Sequence, residues 1–248
     1  RSTLSSSSAA SDVYKRQLLS IVLFSGLLTA CSGDLLKQGE DLLNQHRPLT
    51  EKEIAAGLKE ALVVGSARVV DRVGQPDGYY GDRAIHIPLP DNLQRVHQTL
   101  SKVGLGQYTQ QLEAGMNRAA EVAAPKARKL FVDAVAQMSW TDVKQIYNGP
   151  TDAATQYFKQ KMTPELRRMM RPVIDDSLSQ VGVVQTYEQV MDKYQAIPMV
   201  PDIKADLNDY VMQKGIDGMF YYLAKEEAAI RQDPAKRTTE ILKRVFGR

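Results

Sequence analysis

Apolar residues recur at the spacing of an α-helix along most of the chain from Thr50 onward. No run alternates convincingly between apolar and polar residues, as a half-buried strand would. In the first stretch Ile54 and Leu58 lie four residues apart, and Thr50 and Glu53 precede them at the spacing of a capping box, which marks the start of a helix. The sequence therefore predicts an all-α fold, a compact domain of many helices.

Residues 75–90 interrupt the helical spacing. They contain closely spaced turn residues and end in a stretch with Pro88 and Pro90, and each proline lacks a backbone donor and restricts the residue before it. We expect one irregular, extended arm over about 75–90. Gly74, just before it, is predicted to end the first helix in the left-handed conformation.

Three further residues predict helix boundaries. Pro164 is expected at the first position of a helix, where its missing N–H costs nothing, and Pro172 is expected to bend or restart that helix. Asp233 is expected to cap the last helix.

An apolar run of eleven residues, 18–28, follows two basic residues and ends in Leu-Thr-Ala-Cys, residues 28–31. The run is shorter than the roughly 20 residues that span a bilayer and is typical of a signal peptide. The tetrapeptide resembles the bacterial lipobox, which implies that lipid is joined to the thiol of Cys31, the only cysteine. Since each buried methylene contributes about 0.8 kcal/mol, two or three acyl chains would hold the protein on a membrane.

These features divide the chain into four parts. We expect 1–17 to be a sequencing-adapter artefact, 18–30 the apolar region of the signal peptide with the lipobox, 31–49 a lipidated tether, and 50–248 a single all-α domain. Ser32 follows Cys31, where Asp would be the usual signal for the inner membrane. We therefore expect the periplasmic face of the outer membrane rather than the inner membrane.

Charge excludes one class of partner. Removing 1–30 takes away three of the 32 basic and one of the 29 acidic residues, which leaves a net charge of +1. Nucleic-acid binding needs clustered cationic charge, so no nucleic-acid partner is expected.

The most distinctive polar set is Glu113, Asn117 and Glu121, four residues apart, with Arg118 beside them. On a helix these residues share one face, which is either solvated or a buried hydrogen-bond set between helices. The alternative is a metal site or an acid and base pair. We expect that replacing Glu121 by Ala lowers stability.

Asp77, Tyr79 and Tyr80 lie in a turn-rich segment that has too few ligands for a calcium loop. We interpret it as a surface loop whose tyrosines contact a protein partner. The aromatic residues 220–222 are contiguous, so at least one faces away from the core, and a groove beside them could hold an acyl chain.

Common catalytic arrangements are missing from the sequence. His46, His86 and His97 are far apart and lack the ligand spacing of a zinc enzyme, and there is no nucleophile elbow or phosphate-binding loop. We expect no catalytic residue, no metal and no cofactor.

Five segments together resemble a bacterial lipoprotein family catalogued as domain-of-unknown-function family 4197. They are 55–62, 87–90, 116–121, 149–158 and 230–239. The resemblance covers about 49–247 and implies a compact helical domain on a Gram-negative lipoprotein. It does not point to any particular activity. The expectation for function is a lipid-anchored, non-catalytic binding module with an envelope protein or apolar ligand as partner. The alternatives are an envelope hydrolase that uses carboxylates such as Glu113 and Glu121, or a lipid carrier.

Overall fold

The computed structural model describes residues 48–247 and confirms the all-α prediction. The chain forms α1 (Glu51–Val73), α2 (Asp91–Lys102), α3 (Gly106–Ala123), α4 (Arg128–Gln137), α5 (Trp140–Tyr147), α6 (Ala153–Gln180), α7 (Val183–Gln195), α8 (Leu207–Gln232) and α9 (Glu240–Phe246), with 3₁₀-helices at Ala124–Ala127 and Pro234–Lys236. The predictions for the leader, the tether, Cys31 and His46 lie outside the described residues.

The helix α8 lies at the centre of the domain, packed against α1, α3 and α6. Three buried rings join the layers: Phe131 on α4 meets Phe158 on α6 and Phe220 on α8, both edge to face, with centroid separations of 6.2 and 6.3 Å. The apolar stripes thus meet in one main core, beside a small second cluster formed by Ala61, Ile230 and Leu242. This core belongs to the compact unit 50–248, so we expect that unit to fold without the preceding residues.

The central pair α1 and α8 is antiparallel. Arg68 pairs with Glu226 at 2.6 Å, and one turn later Arg72 reaches the Tyr222 hydroxyl at 3.0 Å. Because α8 is 26 residues long, about 39 Å at 1.5 Å per residue, its first turn lies at the opposite end of the domain from the start of α1.

The predicted capping box at Thr50 and Glu53 is confirmed, with the Thr50 amide bonded to Glu53 at 2.9 Å. The predicted left-handed Gly74 is wrong, since its φ is −83°. Glycine is required there for space, because a Cβ would lie 2.9 Å from the ring of Pro125.

Three predictions about helix boundaries differ from the structure. Pro164 does not begin a helix and Pro172 does not restart one, because both lie inside α6, which continues through them although a proline in a helix interior costs about 3 kcal/mol. Leu166 and Ile174, buried beside them, show that core packing holds the helix across the prolines. Asp233 caps the 3₁₀-turn that follows it, by accepting the Ala235 amide, and the last helix is capped by its own Thr239.

Among the described helices, none combines the length and the apolar content needed to cross a bilayer.

Candidate functional site

The polar residues of α3 face the arm 75–90. Asn117 is fully buried, and Glu121 is 2% exposed. The sequence left open whether this face of α3 is solvated or forms a buried hydrogen-bond set. For Asn117 and Glu121 the solvated surface is therefore wrong. They form a buried hydrogen-bond set because the turns of the arm pair only some of its backbone groups, and the amides of Tyr79, Tyr80 and Ile87 take their partners from α3.

Glu121 binds the first part of the arm. Its Oε1 accepts the backbone N–H groups of Tyr79 at 3.1 Å and Tyr80 at 3.2 Å. Its Oε2 accepts from Arg118 at 3.1 Å. Both oxygens are therefore occupied by donors from the domain itself.

Asn117 binds the second part of the arm. Its side-chain oxygen accepts the Ile87 amide, and its nitrogen donates to the Ile87 carbonyl, both at 2.8 Å. The same nitrogen donates to the Glu113 carbonyl at 2.9 Å. Asparagine thus supplies the donor and the acceptor that a neighbouring strand would otherwise give to Ile87.

Glu113 binds the arm through a histidine and an amide. Its Oε1 lies 2.8 Å from His86 Nε2, and its Oε2 accepts the Leu89 amide at 3.3 Å. The other ring nitrogen, Nδ1, lies 2.9 Å from the Tyr80 carbonyl. Since both nitrogens face acceptors, the neutral ring can donate one of these bonds and the protonated ring both.

The interpretation of Tyr79 as a surface residue is wrong. Its side chain is fully buried, and its hydroxyl donates to the Gly215 carbonyl at 2.6 Å. Burial raises the pKa of Tyr79, and the carboxylates of Glu121 and Asp217 add to the rise. The ring fits because Gly218 has no side chain, as a Cβ there would lie 2.7 Å from the Tyr79 ring.

Tyr80 and Asp77, the other two residues of the predicted loop, are exposed. Tyr80 is 45% exposed and its ring centroid lies 5.4 Å from that of His86. Asp77 has a φ of 62°, in the left-handed region that side chains rarely adopt. The turn is therefore fixed from below by Tyr79 and presents Tyr80 outward.

A hollow of about 500 Å³ lies beside this turn. On its wall Asp82 accepts hydrogen bonds from Arg72 and Tyr222, and the Arg72 guanidinium lies 3.9 Å from the Tyr222 ring centroid. Burial opposes the ionisation of Asp82, but the bonds from Tyr222, from the Ala84 amide and from Arg72 outweigh it, so the pKa of Asp82 is lowered. These contacts fix the second half of the turn.

A second buried carboxylate, Glu227 on α8, was missed by sequence reasoning. It accepts the Ala154 and Thr155 amides at 2.9 Å each, at the start of α6, and pairs with Arg231 at 3.0 Å. Asp152, the residue before α6, makes no side-chain cap. The available signal was the pair Glu227 and Arg231, four residues apart with only apolar residues between them.

The other predicted candidates are dispersed. Of the residues 220–222, Phe220 and Tyr222 are buried and Tyr221 is 38% exposed. His97 lies 2.6 Å from the Thr109 hydroxyl, away from His86. Within residues 48–247 no group of three or more His, Cys, Asp or Glu side chains is placed to hold a metal ion.

Comparison with curated proteins and comparison with solved structures each gave no match. A family model described as "Protein of unknown function (DUF4197)" matches residues 48–247, which is most of the chain. The resemblance found in the sequence is thereby confirmed, and the chain belongs to the DUF4197 family.

Proposed function

We propose that this protein is a lipid-anchored protein of the cell envelope that acts by binding a protein partner through the turn 76–83, not by catalysis. Cys31 would hold the domain at the periplasmic face of the outer membrane. The observation that carries the proposal is the use of Glu121: Oε1 of this buried carboxylate accepts the Tyr79 and Tyr80 amides of the turn, and Oε2 is held by Arg118.

A turn fixed in this way loses little conformational entropy when a partner binds, and this raises affinity. It presents the exposed Tyr80, with the exposed Arg83 and the half-exposed Arg72 next to the hollow. Tyrosine and arginine are enriched among the residues that dominate binding energy at interfaces. The same surface therefore combines rigidity with suitable side chains.

The hydrolase alternative requires carboxylates that are free to exchange protons with a substrate. Glu121 is occupied by two amides and Arg118, and Glu113 by His86 and the Leu89 amide. These bonds hold the arm in place, so we favour binding over hydrolysis.

The anchor is tested by labelling cells with radioactive palmitate. The wild-type protein should incorporate label and sediment with outer membranes, and Cys31→Ser should do neither. A variant that still carries label would disprove lipidation at Cys31.

The binding surface is tested with a photo-crosslinking amino acid placed at Tyr80 in the full-length protein in intact cells. Tyr221, also a partly exposed tyrosine, is the matched control position on α8. We expect one discrete adduct from position 80, its loss when Arg83→Glu is added, and no such adduct from position 221. Identical adducts from both positions, or none from position 80, would contradict the proposal.

A further inference from the structure

An open cleft of about 550 Å³ lies where the end of α6, the start of α7 and the start of α8 meet. Its size is in the range of small-molecule sites, about 300–1,000 Å³. It is lined by Leu178, Val183, Val184, Tyr187, Lys204, Ala205, Asp206, Leu207 and Asn208. None of these residues belongs to the arm or to its contacts, so the cleft is separate from the binding surface proposed above.

The floor of the cleft is apolar. Leu178, Val183 and Leu207 are buried beneath it, and Val184 on α7 adds a side chain that is 43% exposed. Val184 therefore supplies most of the exposed aliphatic surface here, with the three buried residues packed beneath it, and a hydrocarbon chain that covers it would remove this surface from water.

Two polar residues at the mouth of the cleft already make hydrogen bonds within the domain. Asp206 caps α8 by accepting the Asp209 amide at 2.9 Å, and its charge lies at the helix N-terminus, where negative charge is stabilised. The Asn208 side-chain amide donates to Asp175 at 2.6 Å.

Two donors at the mouth are free, by contrast. Tyr187 accepts the Ala205 amide at 3.3 Å, and its own O–H has no acceptor among residues 48–247. In the same range the Lys204 side chain has neither a carboxylate partner nor a hydrogen bond. The cleft thus offers an apolar floor, one ammonium group and one hydroxyl donor.

We propose that this cleft binds a single-chain amphiphile with an anionic head group. The chain would lie along Val184 and the buried aliphatic residues, and the head group would accept hydrogen bonds from Lys204 and Tyr187. A carboxylate and a phosphate both meet this description, which covers a free fatty acid and a lysophospholipid. The site is independent of the arm, so it can fail without affecting the partner proposal.

The test is calorimetric titration of the chain from Ser32 to Arg248, stripped of bound lipid, below the micelle concentration of each probe. The probes are laurate, dodecanol and lauroyl-lysophosphatidylglycerol. Laurate should bind one to one, at least tenfold more tightly than dodecanol. Tighter binding of the lysophospholipid than of laurate would identify phosphate as the preferred head group, and the reverse order would identify carboxylate.

Two variants separate head group from chain. Lys204→Met should reduce laurate affinity at least tenfold without changing dodecanol affinity, whereas Val184→Asp should weaken both. The controls are Lys52→Met, an exposed lysine on α1, and Val132→Asp, an exposed valine on α4. Lys204 is exposed, so its replacement should leave the thermal unfolding temperature of the protein unchanged. A loss of laurate affinity can then be assigned to the missing ammonium group.

Three outcomes would overturn the proposal: no binding of any probe, equal weakening of laurate by Val184→Asp and Val132→Asp, or unchanged laurate affinity in Lys204→Met. Each of these can occur while the crosslink from Tyr80 is still observed.

Discussion

Replacing Glu121 by Ala should destabilise the domain substantially through the arm. The substitution removes the acceptor of the Tyr79 and Tyr80 amides and the partner of Arg118. No water can readily replace the carboxylate at the Tyr79 amide, because the Tyr79 residue is fully buried. An unpaired buried donor is among the few mechanisms that give large losses of stability.

The loss can be built up from its parts. A buried donor left without a partner costs about 1–3 kcal/mol, and the partly buried Tyr80 amide costs nearer about 1 kcal/mol. The Arg118 side chain is 49% exposed, so its pair contributes at most about 1 kcal/mol. The sum is about 3 kcal/mol, which corresponds to a fall of roughly 6–12 °C in Tm for a domain of this size.

The assay is urea unfolding of the chain from Ser32 to Arg248, followed by circular dichroism. The control is Glu188→Ala, an exposed glutamate on α7, which should stay within about 0.5 kcal/mol of wild type. Hydrogen exchange adds a local measurement, since the Tyr79 and Tyr80 amides should lose protection first. Glu121→Gln keeps one oxygen for the two amides and should cost only about 1 kcal/mol.

Two results would refute this reasoning. One is a Glu121→Ala variant as stable as Glu188→Ala, which would mean that the arm does not depend on the carboxylate. The other is a stoichiometric divalent ion that the wild type holds and the variant loses, which would restore the metal-site interpretation.

Three further predictions test other contacts of the domain. Glu227→Ala should cost about 3–5 kcal/mol in urea unfolding, because it leaves two buried amides without an acceptor and removes the ion-pair partner of Arg231, whose side chain is 13% exposed. Gly218→Ala should lower stability by about 1–3 kcal/mol through overpacking, whereas Gly215→Ala, whose Cβ would have its nearest contact at 3.8 Å, should be neutral or gain up to about 1 kcal/mol in the same assay. Because folding lowers the pKa of Asp82, the stability that this carboxylate gives to the domain is complete above its ordinary pKa of 3.8 and is lost as the pH falls through its pKa in the folded state. Tyr222→Phe should make the free energy of urea unfolding depend less on pH in this acid range.

The helical architecture was predictable because its signals are local. A capping box such as that of Thr50 and Glu53 and an apolar residue on every turn can be recognised without knowing the rest of the fold. The prediction was wrong where tertiary packing outweighed a local preference, as at Pro164, which was expected to begin a helix but lies inside α6 with Leu166 buried beside it.

The site was predictable in its residues but not in its contacts. The spacing of Glu113, Asn117 and Glu121 showed that they share one face, but their partners lie 24 to 42 residues away in the chain. The same limit explains Tyr79, since nothing in its turn-rich segment indicates that a distant Gly218 leaves room for its ring. Glu227 was missed for this reason too, because the amides it accepts lie more than 70 residues before it.

The segments that carry the family resemblance pair with one another in space. Segment 116–121 supplies Asn117 and Glu121 to the arm, and segment 87–90 receives the bonds of Asn117. Segment 149–158 supplies the amides that Glu227 accepts, and Arg231, within segment 230–239, binds the same carboxylate. The irregular arm and the start of α6 both have backbone groups that their own elements leave unpaired, and a buried side chain from another helix satisfies each. These motifs are therefore explained by the hydrogen bonds that hold the arm and the start of α6 in place. A ligand or partner is better sought on the surfaces that these bonds do not use, which are the exposed turn at Tyr80 and the cleft at Lys204.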